Sequence, residues 1–124
     1  GMTPLSTAVF HGRMEIAKYL VGERKASVSY HNRDGNTPLH LAAFLCRTEM
    51  VDYLLEHDAS LSKKSERGET PVDVVSSDWN DGLGRFYQSI SDGANLGLDL
   101  EEIQRLRPKI AKQLRDHAAA ASKQ

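Results

Sequence analysis

The chain has 124 residues, of which 40% are hydrophobic and 27% charged, so it is long enough for one globular domain with a modest core. Its formal net charge is −1, which removes the global electrostatic argument for binding nucleic acid or a membrane surface. No apolar run approaches the length needed to span a bilayer, and no secretory signal is visible. The single cysteine, Cys46, cannot form an intramolecular disulfide, so we expect a reducing compartment, the cytoplasm.

A Thr-Pro-Leu triplet recurs along the chain at nearly constant spacing. It occurs at Thr3–Leu5 and Thr37–Leu39, and a variant occurs at Thr70–Val72, so the spacing is 34 and then 33 residues. A glycine precedes each threonine by two positions: Gly1, Gly35 and Gly68. An internal period of this length predicts stacked supersecondary units.

Each unit begins with the signals of a helix–turn–helix pair. The threonine is a helix N-cap candidate, and the proline after it suits the first helical position. A second helix follows with an apolar stripe, which is Met50, Val51, Leu54 and Leu55 in the second unit and Ile16, Ala17, Leu20 and Val21 in the first. The register places Ala43 and Leu54 in the core.

The segment Gly35–Ala43, with the sequence Gly-Asn-Thr-Pro-Leu-His-Leu-Ala-Ala, resembles the signature of the ankyrin-repeat family. The resemblance covers about residues 1–77 and 107–118. It implies an all-α, ankyrin-like helical repeat solenoid. It also implies that His40 forms hydrogen bonds within its own turn and to the neighbouring repeat.

The third unit is interrupted. The distance from the threonine to the arginine that starts the second helix is 10 residues in the first two units and 37 between Thr70 and Arg107, so 27 residues are inserted. The insertion predicts a helix over 81–92, a loop over 93–97 and a helix that Asp99 caps. Pro108 should break or kink this last helix near Arg107, and the alanine-rich tail 118–124 should fray.

We therefore expect one domain over residues 1–124, with two regular repeats and a third that carries the helical insertion and a C-terminal cap. The expected bounds are about 1–31, 32–64 and 65–118, with the insertion at about 80–106. Gly1 is in register with the other turn glycines, which favours truncation from a longer chain over a cloning scar before a native start. The first repeat then lacks a preceding neighbour, and one apolar face should be uncovered.

The sequence contains no recognisable catalytic or metal-binding pattern. There is no phosphate-binding glycine loop, no serine in a nucleophile elbow and no zinc-ligand spacing among the five histidines and Cys46. Cys46 stands at the turn between two helices, where the family usually has glycine, and a structural role is favoured. We expect no enzymatic activity, no cofactor and no metal.

Protein binding is the favoured function, because stacked units form an extended concave surface with projecting turns. The resemblance implies the surface that such repeats usually use, so the expected contact residues on the turns are Arg33, Asp34, Asn36, Glu66, Arg67 and Glu69. Those on the inner helices are Phe10, His11, Phe44 and Leu45. The resemblance implies a non-catalytic module for a protein or peptide partner, with no requirement for oligomerisation. The alternative is a regulatory or targeting domain of a larger enzyme or effector.

Two further segments have competing interpretations. The basic segment Arg105–Arg115 could contact nucleic acid or a membrane, but a solvated face is favoured, with its Lys and Arg side chains in water while Ile110 and Leu114 cap the stack. Trp79 could anchor the insertion on the stack, which we favour, or could act as an interface hot spot.

Overall fold

The structure, a computed structural model, describes residues 3–122 and contains no strand in that range. The turn predicted around Gly1 and the last two residues of the tail lie outside the described residues. The helices are α1 (Pro4–Phe10), α2 (Met14–Gly22), α3 (Pro38–Phe44), α4 (Thr48–Glu56), a 3₁₀ turn (Asp73–Val75), α5 (Asp81–Ala94) and α6 (Leu100–Ser122). The predicted all-α helical repeat solenoid is confirmed.

The first two inner helices begin where the threonines predict. The Ser6 N–H donates to Thr3 Oγ1 (3.0 Å) and the His40 N–H donates to Thr37 Oγ1 (3.4 Å). Pro4 and Pro38 occupy the first helical positions, where the missing N–H has no intrahelical partner to lose.

Stacking buries the second repeat more completely than the first. Ala43 and Leu54 are fully buried, as the register predicts. Met50 in α4 is 1% exposed, whereas Ile16, its counterpart in α2, is 51% exposed. Pro38 is buried and Pro4 is exposed. Among the described residues nothing covers this side of repeat 1, so the expected uncovered apolar face is confirmed.

The helix expected near Thr70 is reduced to the 3₁₀ turn. Its start signal is intact, because the Asp73 N–H donates to Thr70 Oγ1 (3.3 Å) and the Thr70 N–H donates to Asp73 Oδ2 (2.9 Å). The residues that follow are Val74, Val75 and two serines, which have low helix propensity. The Ser76 hydroxyl donates to the Val72 carbonyl (2.6 Å), which competes with helix propagation. The prediction of a third full inner helix is therefore wrong.

The insertion folds as helix–loop–helix, as predicted. Asn80 caps α5 by accepting from the Leu83 N–H (2.8 Å), and α5 extends two residues beyond the predicted end. Asp99 caps α6 by accepting from the N–H groups of Glu101 (3.1 Å) and Glu102 (3.3 Å).

Of the break or kink predicted at Pro108, the break is wrong, because α6 continues through the proline. Proline removes the hydrogen bond to the carbonyl four residues earlier, that of Gln104. Both residues are exposed, so water can satisfy that carbonyl. Ile103 and Ile110, which flank the proline, are buried against the stack and hold the helix on both sides.

The prediction that the basic residues of this segment face water is wrong for Arg107, which is 3% exposed. Its Nη1 donates to the Val74 carbonyl (3.2 Å) and to the Tyr87 hydroxyl (2.8 Å). Its Nη2 donates to the carbonyl (3.1 Å) and hydroxyl (3.0 Å) of Ser77. Ile110 and Leu114 are each 1% exposed, so the predicted cap of the stack is confirmed.

Met50→Ala and Ile16→Ala form a matched pair at one register position. We expect Met50→Ala to lower the free energy of unfolding by about 2–5 kcal/mol, because it leaves a cavity between stacked repeats. Ile16→Ala should change it by less than about 1 kcal/mol, because that side chain is half exposed. Urea denaturation measures both values. Equal losses would contradict the described stacking.

Candidate protein-binding groove

A groove of about 600 Å³ runs along the concave side of the repeats. Its floor is α3, and the tips of the two turns at residues 32–36 and 65–69 form one wall. Helix α5 of the insertion forms the opposite wall, with Leu83, Phe86 and Ile90. The groove therefore combines surfaces from the regular repeats with one from the inserted segment.

The turn-tip wall is held by hydrogen bonds within and between turns. Asn32 Oδ1 accepts from the N–H groups of Asp34 and Asn36, both at 3.0 Å. The two turns are joined because the Glu66 N–H donates to the Asp34 carbonyl (2.9 Å). Gly35 has a φ of +79°, and a Cβ there would lie 2.9 Å from the Glu66 nitrogen, so no larger residue fits. These bonds fix the position of the two turns relative to each other.

His40 connects the floor to the wall, in the role that the family resemblance implies. Its Nε2 donates to the Glu69 carbonyl (2.8 Å), because a carbonyl can only accept. Its Nδ1 accepts from the Thr37 N–H (3.1 Å). Burial lowers the pKa of His40, which keeps the ring neutral and this arrangement intact.

The insertion wall rests on an aromatic cluster. The rings of Phe44 and Tyr87 stack with centroids 4.3 Å apart, and the Tyr87 hydroxyl donates to the Phe44 carbonyl (2.6 Å). Trp79 stacks on Tyr87 at 5.7 Å and is partly buried, so it anchors the insertion, as favoured. Phe86 contacts Phe44 edge-on at 5.7 Å and is 51% exposed to the groove.

Two predicted contact residues are less accessible than expected. Leu45 is only 3% exposed and Phe44 is half-buried. Both lie at the C-terminal end of α3, where α5 packs through Tyr87. The repeat register alone predicts that this end of the inner helix lies on an open face. The contact between Phe44 and Tyr87 of the insertion is not part of the repeat pattern, so the register does not predict it.

The groove brings together most of the predicted contact residues. It is lined by eight of them: Phe10, Asp34, Asn36, Phe44, Leu45, Glu66, Arg67 and Glu69. His11 and Arg33 are exposed but do not line it. The predicted contact residues do not include Leu41 on the floor or Leu83, Phe86 and Ile90 of α5, which also line the groove. The spacing of the three α5 residues predicts an amphipathic helix, but it does not show which part of the apolar stripe stays exposed.

The chemistry of the described residues offers no catalytic arrangement. Burial raises the pKa of the Cys46 thiol to about 11, so the nucleophilic thiolate is scarce at neutral pH. Within residues 3–122 no three His, Cys, Asp or Glu side chains are grouped as metal ligands. No helix in that range has the length and apolar character required to cross a membrane.

The fold and the groove define a helical repeat protein with an open concave surface. Residues 1–65 match the family model described as ankyrin repeats (3 copies). The chain belongs to the ankyrin-repeat family, whose members are generally protein–protein interaction modules.

Related proteins are much longer than this chain. Alpha-latrocrustotoxin-Lt1a from Latrodectus tredecimguttatus is 31% identical over 103 residues, which are 80% of this chain and 7% of the toxin. Ankyrin repeat-containing protein ITN1 from Arabidopsis thaliana is 39% identical over 64 residues, 51% of this chain and 11% of that protein. Ankyrin repeat domain-containing protein 13C from Xenopus tropicalis is 26% identical over 114 residues, 91% of this chain and 21% of that protein.

Stability should depend on pH through His40. Its folded pKa is below the unfolded value of 6.5, so the stabilisation is complete above 6.5 and is lost as the pH falls through the folded pKa. We expect the free energy of unfolding to decrease as the pH falls below 6.5, because the unfolded chain then binds a proton that the folded ring does not. In His40→Ser, which introduces the residue that repeat 1 has at this position, the free energy of unfolding should depend less steeply on pH. The control His117→Ser, at an exposed site, should keep the pH dependence of the parent. Equal slopes for His40→Ser and the parent would contradict this assignment.

Proposed function

We propose that this chain is a non-catalytic interaction module that binds a protein or peptide partner in the groove. The observation that carries the proposal is Phe86, an aromatic side chain 51% exposed on the wall of a pre-formed groove. Aromatic residues that can be desolvated by a partner are typical binding hot spots. The charged turn tips on the opposite wall, with Asp34, Glu66 and Arg67, would orient the partner.

A catalytic role has little chemical support in the described residues. The ring nitrogens of His40 are both occupied by hydrogen bonds, and Cys46 is buried with a raised pKa. A free cysteine thiol is consistent with the reducing cytoplasm, which is the location we propose.

A second candidate is a regulatory or targeting domain of a larger enzyme or effector. The observation that favours it is the small share of each relative that this chain spans, between 7% and 21% for the three proteins above. The groove would bind in the same way in both cases. The full reading frame distinguishes them, because the second candidate requires a catalytic or effector domain in the same polypeptide.

The test of binding is a double variant, Phe86→Ala with Glu66→Lys, compared with the parent chain as bait in an extract of the source organism. Both side chains are exposed, so the variant should fold. A partner that uses the groove should be retained by the parent and lost by the variant. The purified partner should then bind the variant about thirtyfold more weakly, which corresponds to about 2 kcal/mol.

The matched control is Tyr19→Ala on α2 with Glu23→Lys at its C-cap, outside the groove. Tyr19 is 53% exposed, and Glu23 is also exposed, so the chemistry and exposure of the changes are comparable. The control should retain the partner. A partner set that is identical for the groove variant and the control would place the interface elsewhere.

A further inference from the structure

The two walls of the groove have opposite chemical character. The α5 wall is apolar, because Leu83, Phe86 and Ile90 are spaced by three and four residues and so share one face of the helix. On the turn-tip wall, the charged residues that line the groove are the carboxylates of Asp34, Glu66 and Glu69 and the guanidinium of Arg67. Arg33 is exposed on the same turns but does not line the groove. The charged residues that line the groove therefore have a net charge of −2, three carboxylates against one cation.

These three carboxylates are available to a partner. Within residues 3–122 the ion pairs are Arg105–Glu102 and Lys112–Asp116, and both lie on α6, away from the groove. The hydrogen bonds of Asp34, Glu66 and Glu69 described above involve their backbone atoms. A cation placed at the turn tips would therefore gain charge interactions without displacing an existing ion pair.

We propose that the groove binds a short linear segment of a partner protein, with an apolar side chain against α5 and a Lys or Arg side chain against the turn-tip carboxylates. This inference rests on the proposed function and adds the chemistry of the ligand. A volume of about 600 Å³ is within the range of pockets that enclose drug-sized ligands, and it fits a few side chains better than the broad face of a folded domain.

The hydrogen bonds that connect both walls to the fold support a linear ligand. The turns are joined by the bond from the Glu66 N–H to the Asp34 carbonyl, and α5 is fixed by the bond from the Tyr87 hydroxyl to the Phe44 carbonyl. A groove that is ordered before binding loses little conformational entropy in the complex, so a short segment can bind with useful affinity. Because α5 belongs to the insertion, the apolar half of the specificity is a property of this chain and not of the repeat pattern.

The probe for this proposal is a phage-displayed library of short random peptides, selected on the full immobilised chain. Selected sequences should be enriched in a Lys or Arg within a few residues of an aromatic or large aliphatic residue. Synthetic copies should bind Phe86→Ala and Glu66→Lys at least about tenfold more weakly than the parent by fluorescence anisotropy. The controls Tyr19→Ala and Glu23→Lys should bind like the parent, and circular dichroism should show that all four variants are folded.

A charge exchange tests the contact directly. A peptide whose Lys or Arg is replaced by Glu should bind the parent weakly and recover affinity for Glu66→Lys, because the attraction is restored with the signs reversed. Affinity of the basic peptides for the parent should also fall as salt is raised.

The outcomes separate this inference from the proposed function. Peptides that depend on Phe86 but are acidic or uncharged would overturn the inference and leave the groove as a binding site. Failure to select any peptide, with a groove-dependent partner recovered from the extract, would overturn the linear ligand in favour of a folded one. Peptides that bind the groove variants and the control variants equally well would contradict the inference. A partner protein that binds the groove variants and the control variants equally well would contradict the proposed function.

Discussion

The insertion is held in place by the buried guanidinium of Arg107. This one side chain donates to the Val74 carbonyl in the 3₁₀ turn and to the carbonyl and hydroxyl of Ser77 just after it. It also donates to the hydroxyl of Tyr87, which in turn donates to the carbonyl of Phe44 on α3. Burying a cation is unfavourable unless its donors are satisfied, and breaking such a site leaves an uncompensated charge. The geometry of three elements therefore depends on Arg107. In the second repeat the same register position is occupied by Arg47, which donates to the Phe10 carbonyl.

This constraint explains why the groove has two halves of different origin. The floor and the turn-tip wall follow from the repeat itself, through the caps, the glycine turn and His40. The α5 wall exists only because Tyr87 and Trp79 dock the inserted helix against the end of α3. Phe86, adjacent to the buried Tyr87, is exposed for the same reason, since docking one face of α5 turns its neighbour towards the groove. The proposed ligand chemistry therefore depends on the insertion as much as on the repeats.

Sequence reasoning predicted the structural features that depend on neighbouring residues. It failed for features that depend on contacts between residues far apart in the chain. The caps at Thr3 and Thr37 and the helix over most of 81–94 follow from residue type and spacing. The loss of the third inner helix combines low local propensity with the capture of its carbonyls by Arg107, which lies 33 residues from Val74. The partial burial of Phe44 likewise involves Tyr87, which belongs to a segment that the repeat register does not include. The predicted partner contacts remain a proposal, although the groove collects most of them.

The most direct test of this account is hydrogen exchange in Tyr87→Phe, with Tyr19→Phe as the control. The substitution keeps the buried ring but removes the hydroxyl, so the Phe44 carbonyl and one Arg107 donor lose their partner, at a cost of about 1–3 kcal/mol. We expect amides of α5 to exchange roughly ten- to a hundredfold faster in Tyr87→Phe, while amide exchange in α1 and α2 is unchanged. The control Tyr19→Phe should leave amide exchange in α5 unchanged, because the Tyr19 side chain is 53% exposed. Unchanged protection of the α5 amides from hydrogen exchange in folded Tyr87→Phe would contradict the conclusion that Arg107 and Tyr87 hold the insertion in place.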